Sequence, residues 1–218
     1  MGTNKALLPL AGKPLVEHAV TKLHRICAPV KILSNDPALS SFGPLVPDVH
    51  PQCGPMSGIE AALLDSGEDW NLIVPVDVPF LTTTYLDQWL WAALHGRVGK
   101  LRIAMLATDA IPHPTLLIIH REVGPYLSAS LEAGNYKLFP ALRQAALALA
   151  ARDGGKPEAT FWEAQYDDFY APVWKGVPAN WWELRSPPSH HLKFDPFLNV
   201  NSPEDFTLAE QFSDQLDT

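Results

Sequence analysis

The sequence has little cysteine, no long apolar run and no excess of basic charge. Its 218 residues include only two cysteines, too few for a disulfide framework or a thiolate metal cage. No apolar stretch approaches the roughly 18 residues that suggest a membrane-spanning helix, and no secretory leader opens the chain. We therefore expect a cytoplasmic protein with no membrane partner.

The balance of charge argues against nucleic acid as a partner. The chain has 16 Lys and Arg against 24 Asp and Glu, a net charge of −8, whereas binding a nucleic-acid backbone depends on clustered Lys and Arg. Apolar residues make up 47% of the chain and charged residues 18%, which is typical of a folded domain. The 21 prolines are scattered among apolar runs and indicate loops in a compact fold.

Helical and extended segments alternate along the chain. The spacing of apolar residues predicts helices over 15–27, 59–64, 86–94, within 122–132 and 138–151, and from 203 onward, and strands over 30–33, 44–47, 72–74, 103–107 and 115–119. Ser202, Pro203 and Asp205 form a near capping box at the start of the last helix. The alternation predicts an α/β fold with a mostly parallel sheet covered on both sides, in which ligands bind beyond the carboxyl ends of the strands.

One acidic side chain stands at the end of a predicted buried strand. Asp77 follows the apolar run 72–76 and precedes Val78 and Pro79. A carboxylate in this place is a usual way to hold Mg²⁺, which binds through one or two carboxylates plus substrate phosphates. An aspartate that opens a proline-containing turn gives the same pattern, and the spacing favours neither interpretation.

A short glycine-containing segment, Gly54-Pro55-Met56-Ser57-Gly58, leads directly into a predicted helix. Glycine lets the backbone approach a ligand closely, and a helix N-terminus offers free N–H donors. A plain junction between loop and helix is the alternative interpretation. Asp48, upstream in the same loop, either accepts hydrogen bonds from a purine edge or stabilises the turn.

Basic side chains occur in two further places of interest. Lys5 and Lys13 lie among apolar residues and a glycine near the start of the chain, where a lysine would act as a mobile point charge near a phosphate. An exposed surface lysine is the commoner alternative. His113, directly before Pro114, belongs to a pattern that is more often structural than ligating.

Five motifs, in this order, resemble the molybdenum cofactor guanylyltransferases, a family of MobA-like nucleotidyltransferases. The motifs are the opening segment Met1–Leu15, then Gly54–Gly58, Pro75–Phe80, His113–Thr115 and Phe197–Asp205. The resemblance covers nearly the whole chain except a family-atypical insertion around residues 156–195. It implies a single nucleotidyltransferase domain over residues 1–218 with a Rossmann-like, three-layer αβα sandwich.

The same resemblance implies a reaction. The family transfers GMP from GTP to molybdopterin and releases pyrophosphate, with Mg²⁺ as cofactor and contact with molybdoenzyme maturation proteins as a further expectation. Three alternatives stay open. They are transfer of CMP from CTP to molybdopterin, transfer to a sugar phosphate, and a non-catalytic remnant that binds a nucleotide or a protein partner.

Individual residues take their expected roles from the positions they share with the family. Asp77 and Lys5 are the expected catalytic residues, and Asp77 is the expected metal ligand. The side that holds GTP would comprise Lys5, Asn35, Asp48, Gly54, Pro55, Gly58 and Asp77. The side that holds molybdopterin would comprise His113, Asn199 and Asn201.

The sequence departs from the family at its beginning. The family opens with a strand and the turn Leu-Ala-Gly-Gly-x-Ser-x-Arg, whereas here Met1 stands where that turn should have just ended, and Asn4 replaces the usual aspartate before the lysine. With the first central strand missing, we expect the neighbouring strand edges to be unpaired and the core to be open. Either the coding start lies further upstream or the chain is shortened and inactive. The retained pocket residues favour an upstream start.

Overall fold

Helices and strands alternate through residues 4–96, 100–108, 110–165 and 197–217, the part of the chain that the computed structural model describes. The helices are α1 Leu15–Leu23, α2 Pro55–Asp65, α3 Thr83–His95, α4 Gly124–Glu132, α5 Leu138–Arg152, α6 Pro157–Thr160 and α7 Pro203–Gln211. The strands are β1 Pro9–Leu10, β2 Lys13–Pro14, β3 Ile32–Leu33, β4 Leu45–Val46, β5 Trp70–Ile73, β6 Ile103–Thr108, β7 Ile111–His120 and β8 Phe161–Gln165. None of these helices is long and apolar enough to cross a bilayer.

The main sheet has four strands in the order β5-β7-β6-β8. Strand β7 runs antiparallel to β5 and β6, while β6 and β8 are parallel. Because only two residues separate β6 from β7, the two strands can pair only as a hairpin. Their register shifts between Met105, which pairs with Leu117, and Leu106, which pairs with His113. The intervening bulge contains Pro114, whose ring nitrogen has no hydrogen to donate to a ladder.

Alternate residues of the sheet face two different helical layers. Ile103 and Met105 of β6 pack with apolar side chains of α2, α4 and α5. Ala104 and Leu106, on the opposite face, pack with apolar side chains of α3. The sheet is therefore covered on both sides, and the prediction of a three-layer α/β fold is confirmed. Of the predicted insertion around 156–195, residues 157–165 form α6 and β8, and residues 166–195 lie outside the described part of the chain.

A second, smaller sheet lies apart from the main one. Strands β3 and β4 pair in parallel, with Ile32 opposite Leu45 and Leu33 opposite Val46. Within the described residues no strand and no backbone hydrogen bond connects β3 to β5. A cleft of about 620 Å³ lies there instead, lined by residues 27–34 on one side and 70–76 on the other. The cleft therefore lies between strand edges of β3 and β5 that are unpaired in the described residues.

Lys22 of α1 is a buried cation beneath the loop that follows Asp77. Its side chain is only 3% exposed, and its ammonium donates to the backbone carbonyl oxygens of Pro79, at 2.6 Å, and Leu81. Burial lowers the pKa of Lys22 from 10.5 to about 8, although nearby Asp217 opposes that shift. The lysine thus fastens the loop to α1 at the cost of burying a charge.

Replacing this lysine should change how stability depends on pH. The pKa of Lys22 is lower in the folded than in the unfolded protein, so its contribution to the unfolding free energy rises from about pH 8 to pH 10.5. The neutral amine still carries N–H groups for both carbonyl oxygens. We expect chemical denaturation to show the wild type gaining stability relative to Lys22→Met across this window, by up to roughly 3 kcal/mol. Exposed Lys31 offers a control, since Lys31→Met should show no such relative change. Parallel pH curves for the wild type and Lys22→Met would contradict the prediction.

Candidate active site

An ion pair joins the beginning of the chain to the segment that follows β5. Lys5 opens a single 3₁₀ turn, and the side chain of Asn4 caps that turn by accepting from the N–H of Ala6 at 3.0 Å. From there the ammonium of Lys5 lies 2.7 Å from Oδ2 of Asp77. Both side chains remain partly accessible, with 29% of Lys5 and 21% of Asp77 exposed, so a ligand can reach the pair.

The segment directly before α7, residues 199–201, contacts the same two residues. The N–H of Val200 donates to the backbone carbonyl of Asp77 at 2.9 Å. The amide oxygens of the flanking residues, Asn199 and Asn201, both accept from the ammonium of Lys5, the former at 3.4 Å. Two predicted positions on the molybdopterin side therefore meet the two predicted catalytic residues.

A capping box holds this segment in place. Ser202 accepts from the N–H of Asp205, and the Asp205 carboxylate accepts from the N–H groups of Ser202 and Asn201 at 2.7 and 2.9 Å. These backbone donors, that of Asn201 first, lower the pKa of Asp205. The near capping box predicted from sequence is confirmed as a complete one, and it fixes the chain immediately after Asn201.

A second group of predicted residues meets on the other side of the cleft. Asn35 and Asp48 form a two-point contact, in which the Asn35 amide donates to Oδ2 of Asp48 at 3.0 Å and the Asp48 N–H donates back to Oδ1 of Asn35 at 2.9 Å. A Cβ atom placed on Gly58 would lie 3.4 Å from Oδ1 of Asp48. The absence of a side chain at Gly58 leaves room for that carboxylate.

The turn into α2 depends on one glycine. Gly54 has φ +73° and ψ −164°, a conformation that side-chain-bearing residues rarely adopt. Pro55 follows as the first helical residue, where its lack of an N–H costs nothing. The first N–H groups of α2 therefore begin directly at the wall of the cleft.

One cleft connects most of the predicted site. Lys5, Asp48, Gly54, Pro55 and Gly58 all line it. Asp77 and Asn35 are not lining residues, but each contacts one, Asp77 through Lys5 and Asn35 through Asp48.

His113 contacts a different part of this neighbourhood. Its Nε2 lies 2.7 Å from the hydroxyl of Thr108, and its ring stacks on Phe197 with centroids 5.0 Å apart. Phe197 is two residues before Asn199, so His113 borders the segment that covers Asp77 but none of its described contacts is with the Lys5–Asp77 pair.

Two positioning contacts were missed from the sequence. The Asn4 amide donates to the carboxylate of Asp36 at 2.6 Å, which is the main cause of the lowered pKa of Asp36. An aspartate at position 4 would place like charges together, which explains how an asparagine is accommodated there. Deeper in the loop, Nδ1 of His50 lies 2.7 Å from Oε2 of Glu60, whose side chain is only 1% exposed. Glu60 lies within the apolar run of α2, and a glutamate in such a run indicates that its side chain is buried with a polar partner.

The oxygen atoms around Asp77 suit a hard divalent cation. The described residues contain no group of three or more His, Cys, Asp or Glu side chains that could hold a metal ion. Asp77 supplies one carboxylate, and the amide oxygens of Asn199 and Asn201 converge on the same point through Lys5. Mg²⁺ takes oxygen ligands and is commonly held by one or two carboxylates with substrate phosphates. The donor set therefore fits Mg²⁺.

The fold is that of an α/β protein with a cleft between its two sheets, and comparison with known families gives its class. Residues 1–162 match the family described as the MobA-like NTP transferase domain. The protein is thus a nucleotidyltransferase, and its chain belongs to the MobA-like NTP transferase domain family.

Similar proteins agree with this assignment. The chain is 31% identical over 142 residues to a protein of Serratia proteamaculans named molybdenum cofactor guanylyltransferase, a match that spans 63% of this chain and 69% of that protein. A protein of the same name from Vibrio parahaemolyticus is 32% identical over 141 residues, spanning 63% and 70%. The crystal structure of molybdopterin-guanine dinucleotide biosynthesis protein A from Archaeoglobus fulgidus has the same fold, with a TM-score of 0.62 at 18% identity, covering 99% of this chain and 93% of that one.

The conformation of Gly54 generates a prediction on stability. Alanine at Gly54 would have to adopt a positive φ, so we expect Gly54→Ala to lower the unfolding free energy by roughly 1–3 kcal/mol in chemical denaturation. Gly67 is the matched control, because its φ is ordinary and a Cβ there would meet no atom within 4 Å. Equal losses of unfolding free energy in Gly54→Ala and Gly67→Ala would contradict the prediction that a side chain strains the Gly54 turn.

Proposed function

We propose that this protein transfers GMP from GTP to molybdopterin and releases pyrophosphate. The observation that carries the proposal is the Lys5–Asp77 ion pair, partly accessible at the edge of a cleft whose far wall is formed by Asp48 and the Gly54 turn. The family membership gives nucleotidyl transfer, and the names of the similar bacterial proteins favour GTP and the molybdenum cofactor over other substrates.

The reaction requires alignment and charge neutralisation more than proton transfer. An oxygen of the terminal phosphate of molybdopterin would attack the α-phosphorus of GTP, forming a new P–O bond. The bond from that phosphorus to the oxygen bridging the β-phosphate breaks, and pyrophosphate leaves with the electron pair. The attacking phosphate is already ionised near neutral pH, so the protein needs no general base, and its main task is to hold two anions together.

The residues of the cleft divide this task between them. Lys5 would neutralise phosphate charge, because its ammonium is mobile and reaches the cleft. Asp48, held by Asn35, would accept hydrogen bonds from the guanine edge. The Gly54–Gly58 turn, with Pro55 opening α2, would bring backbone close to guanine and ribose.

On the other side of the reacting phosphates, Asp77 would hold Mg²⁺. When bound, the ion would offset the negative charge that develops on the pyrophosphate leaving group. We assign His113, Asn199 and Asn201 to the molybdopterin side, because the segment that carries both asparagines crosses Asp77 directly.

A direct assay tests the proposal. Incubation with GTP, Mg²⁺ and molybdopterin should release pyrophosphate and yield the guanine dinucleotide. Asp77→Asn should lower turnover by roughly 10²–10³-fold, the usual effect of removing one group that stabilises charge in the transition state, with the far-ultraviolet circular dichroism unchanged. Exposed Asp214 provides the control, and Asp214→Asn should keep wild-type turnover.

Each other outcome has a definite meaning. Faster pyrophosphate release with CTP, or with a sugar phosphate as acceptor, would reject guanylyl transfer and leave a nucleotidyltransferase of another specificity. Binding of a nucleotide or protein partner without pyrophosphate release would indicate a non-catalytic remnant. Full turnover by Asp77→Asn would remove Asp77 from the metal role.

Asp48 should control affinity for the base more than the chemical step. Its carboxylate lies with Asn35 and Gly58, and none of its described contacts is with the Lys5–Asp77 pair. A hydrogen bond to a charged group contributes about 1.5–3 kcal/mol, so Asp48→Ala should raise KM for GTP by roughly tenfold or more with little change in kcat. Asp69→Ala, at an exposed ion pair with Arg121, is the matched control. A fall in kcat at constant KM would place Asp48 in the chemical step instead.

A further inference from the structure

The ammonium of Lys5 occupies a small cage of side-chain oxygens. Asp77 contributes Oδ2 at 2.7 Å, Asn199 contributes Oδ1 at 3.4 Å, and Asn201 contributes its Oδ1 as a third acceptor. The ammonium is the only group that connects the start of the chain to all three oxygens in the described residues.

The cage is assembled without help from Lys5. The backbone hydrogen bond from Val200 to the carbonyl of Asp77 holds the two cage segments against each other at 2.9 Å. On the far side of Asn201, the carboxylate of Asp205 accepts from the Asn201 N–H and anchors that residue to the start of α7. Removing the Lys5 ammonium would therefore leave the three oxygens near one another.

One carboxylate and two amide oxygens make a donor set for a hard cation. An ammonium matches this set less well than a divalent metal ion does. Mg²⁺ takes the same oxygen ligands at shorter distances and with twice the charge. A metal ion and the ammonium would compete for this cage, because two cations bound to the same three oxygens would lie close together and repel each other. Lys5 is free to leave, since it sits on a flexible four-carbon stem and its side chain is 29% exposed.

We infer that Lys5 acts as an internal substitute for the divalent cation, holding the cage of Asp77, Asn199 and Asn201 until a triphosphate draws the ammonium away and the metal ion takes its place. This deepens the proposed function, on which the identity of the triphosphate rests. It also gives Asn199 and Asn201 a role as cation ligands, in addition to the molybdopterin side.

The exchange has a clear driving force. A nucleoside triphosphate carries several negative charges, whereas the cage offers Lys5 a single carboxylate and two neutral amides, so the ammonium moves toward the phosphates once they enter the cleft. Metal ion and nucleotide then favour each other's binding, and this coupling is reciprocal. In the free protein the lysine instead competes with the metal ion and weakens its binding.

The test measures metal binding to the full chain in the absence of nucleotide. Mn²⁺ serves as the probe, and its free fraction is followed by electron paramagnetic resonance. Lys5→Met removes the ammonium but keeps the stem, and we expect it to bind Mn²⁺ about tenfold more tightly than the wild type, the value of one partly exposed charge-assisted contact. Lys13→Met, at an exposed lysine of the same opening segment that pairs with Glu17, should bind Mn²⁺ like the wild type.

Further variants show where the ion binds. Adding Asn201→Ala or Asp77→Asn to Lys5→Met should abolish the gain in Mn²⁺ affinity. Lys5→Arg, which keeps the charge and the donors, should stay near the wild type. Should Lys5→Met disturb folding, Lys5→Gln retains N–H donors for the same oxygens without the charge and gives the same comparison.

Three results would overturn the inference. They are equal Mn²⁺ affinity of the wild type and both neutral Lys5 variants, a gain that survives loss of Asn201 and Asp77, and a gain that vanishes at raised ionic strength, where only longer-range charge effects are screened. None of these measurements uses GTP or molybdopterin. A protein that fails to transfer GMP can therefore still show the exchange, and one that transfers GMP can lack it.

Discussion

The ion pair between Lys5 and Asp77 is the contact on which the rest of the site depends, because it joins parts of the chain that are remote in sequence. Lys5 belongs to the opening turn, Asp77 follows the strand β5, and the backbone hydrogen bond from Val200 adds the segment before α7. Each of these segments is positioned separately, the first by Asn4 and the last by the capping box at Ser202. A pair of opposite charges lies at their meeting point and forms a charged, accessible corner at the edge of the cleft.

The separation of β3 and β4 from the main sheet is the second feature that positions the site. The four-stranded sheet builds the core and presents β5 at its edge, whereas β3 and β4 form a separate pair that carries Asn35 and Asp48 beyond its strand ends. The residues that we propose to hold the base and those that we propose to act on phosphates therefore lie on opposite sides of one cleft. The α2 helix, packed on the main sheet through Met56 and Ile59, bridges the two sides with its glycine turn.

The elements that could be predicted from sequence are those whose signals are local. Each of these signals lies in one short segment. Examples are the apolar stripe after Pro14, the buried runs around 72–74 and 103–107, and the cap at Ser202. The direction of β7 could not be predicted, since an apolar run at 115–119 reads the same either way. The burial of Lys22 and the pairing of His50 with Glu60 depend on partners distant in sequence. The motifs predicted Asp77, Asp48 and Gly54 as site residues. The contacts of Asn199 and Asn201 with Lys5 could be seen only in the structure.

The two walls of the cleft differ in how they are fastened. Near Asp77, Lys22 donates to the carbonyl oxygens of Pro79 and Leu81, so the loop beyond Asp77 is attached to α1 by a buried side chain. Near Asp48, the described side-chain contacts of the loop are chiefly those with Asn35, Ser57 and Glu60. If the proposed function is correct, adjustment to different bases would fall to the wall around Asp48, while the wall beside Asp77 would keep its shape.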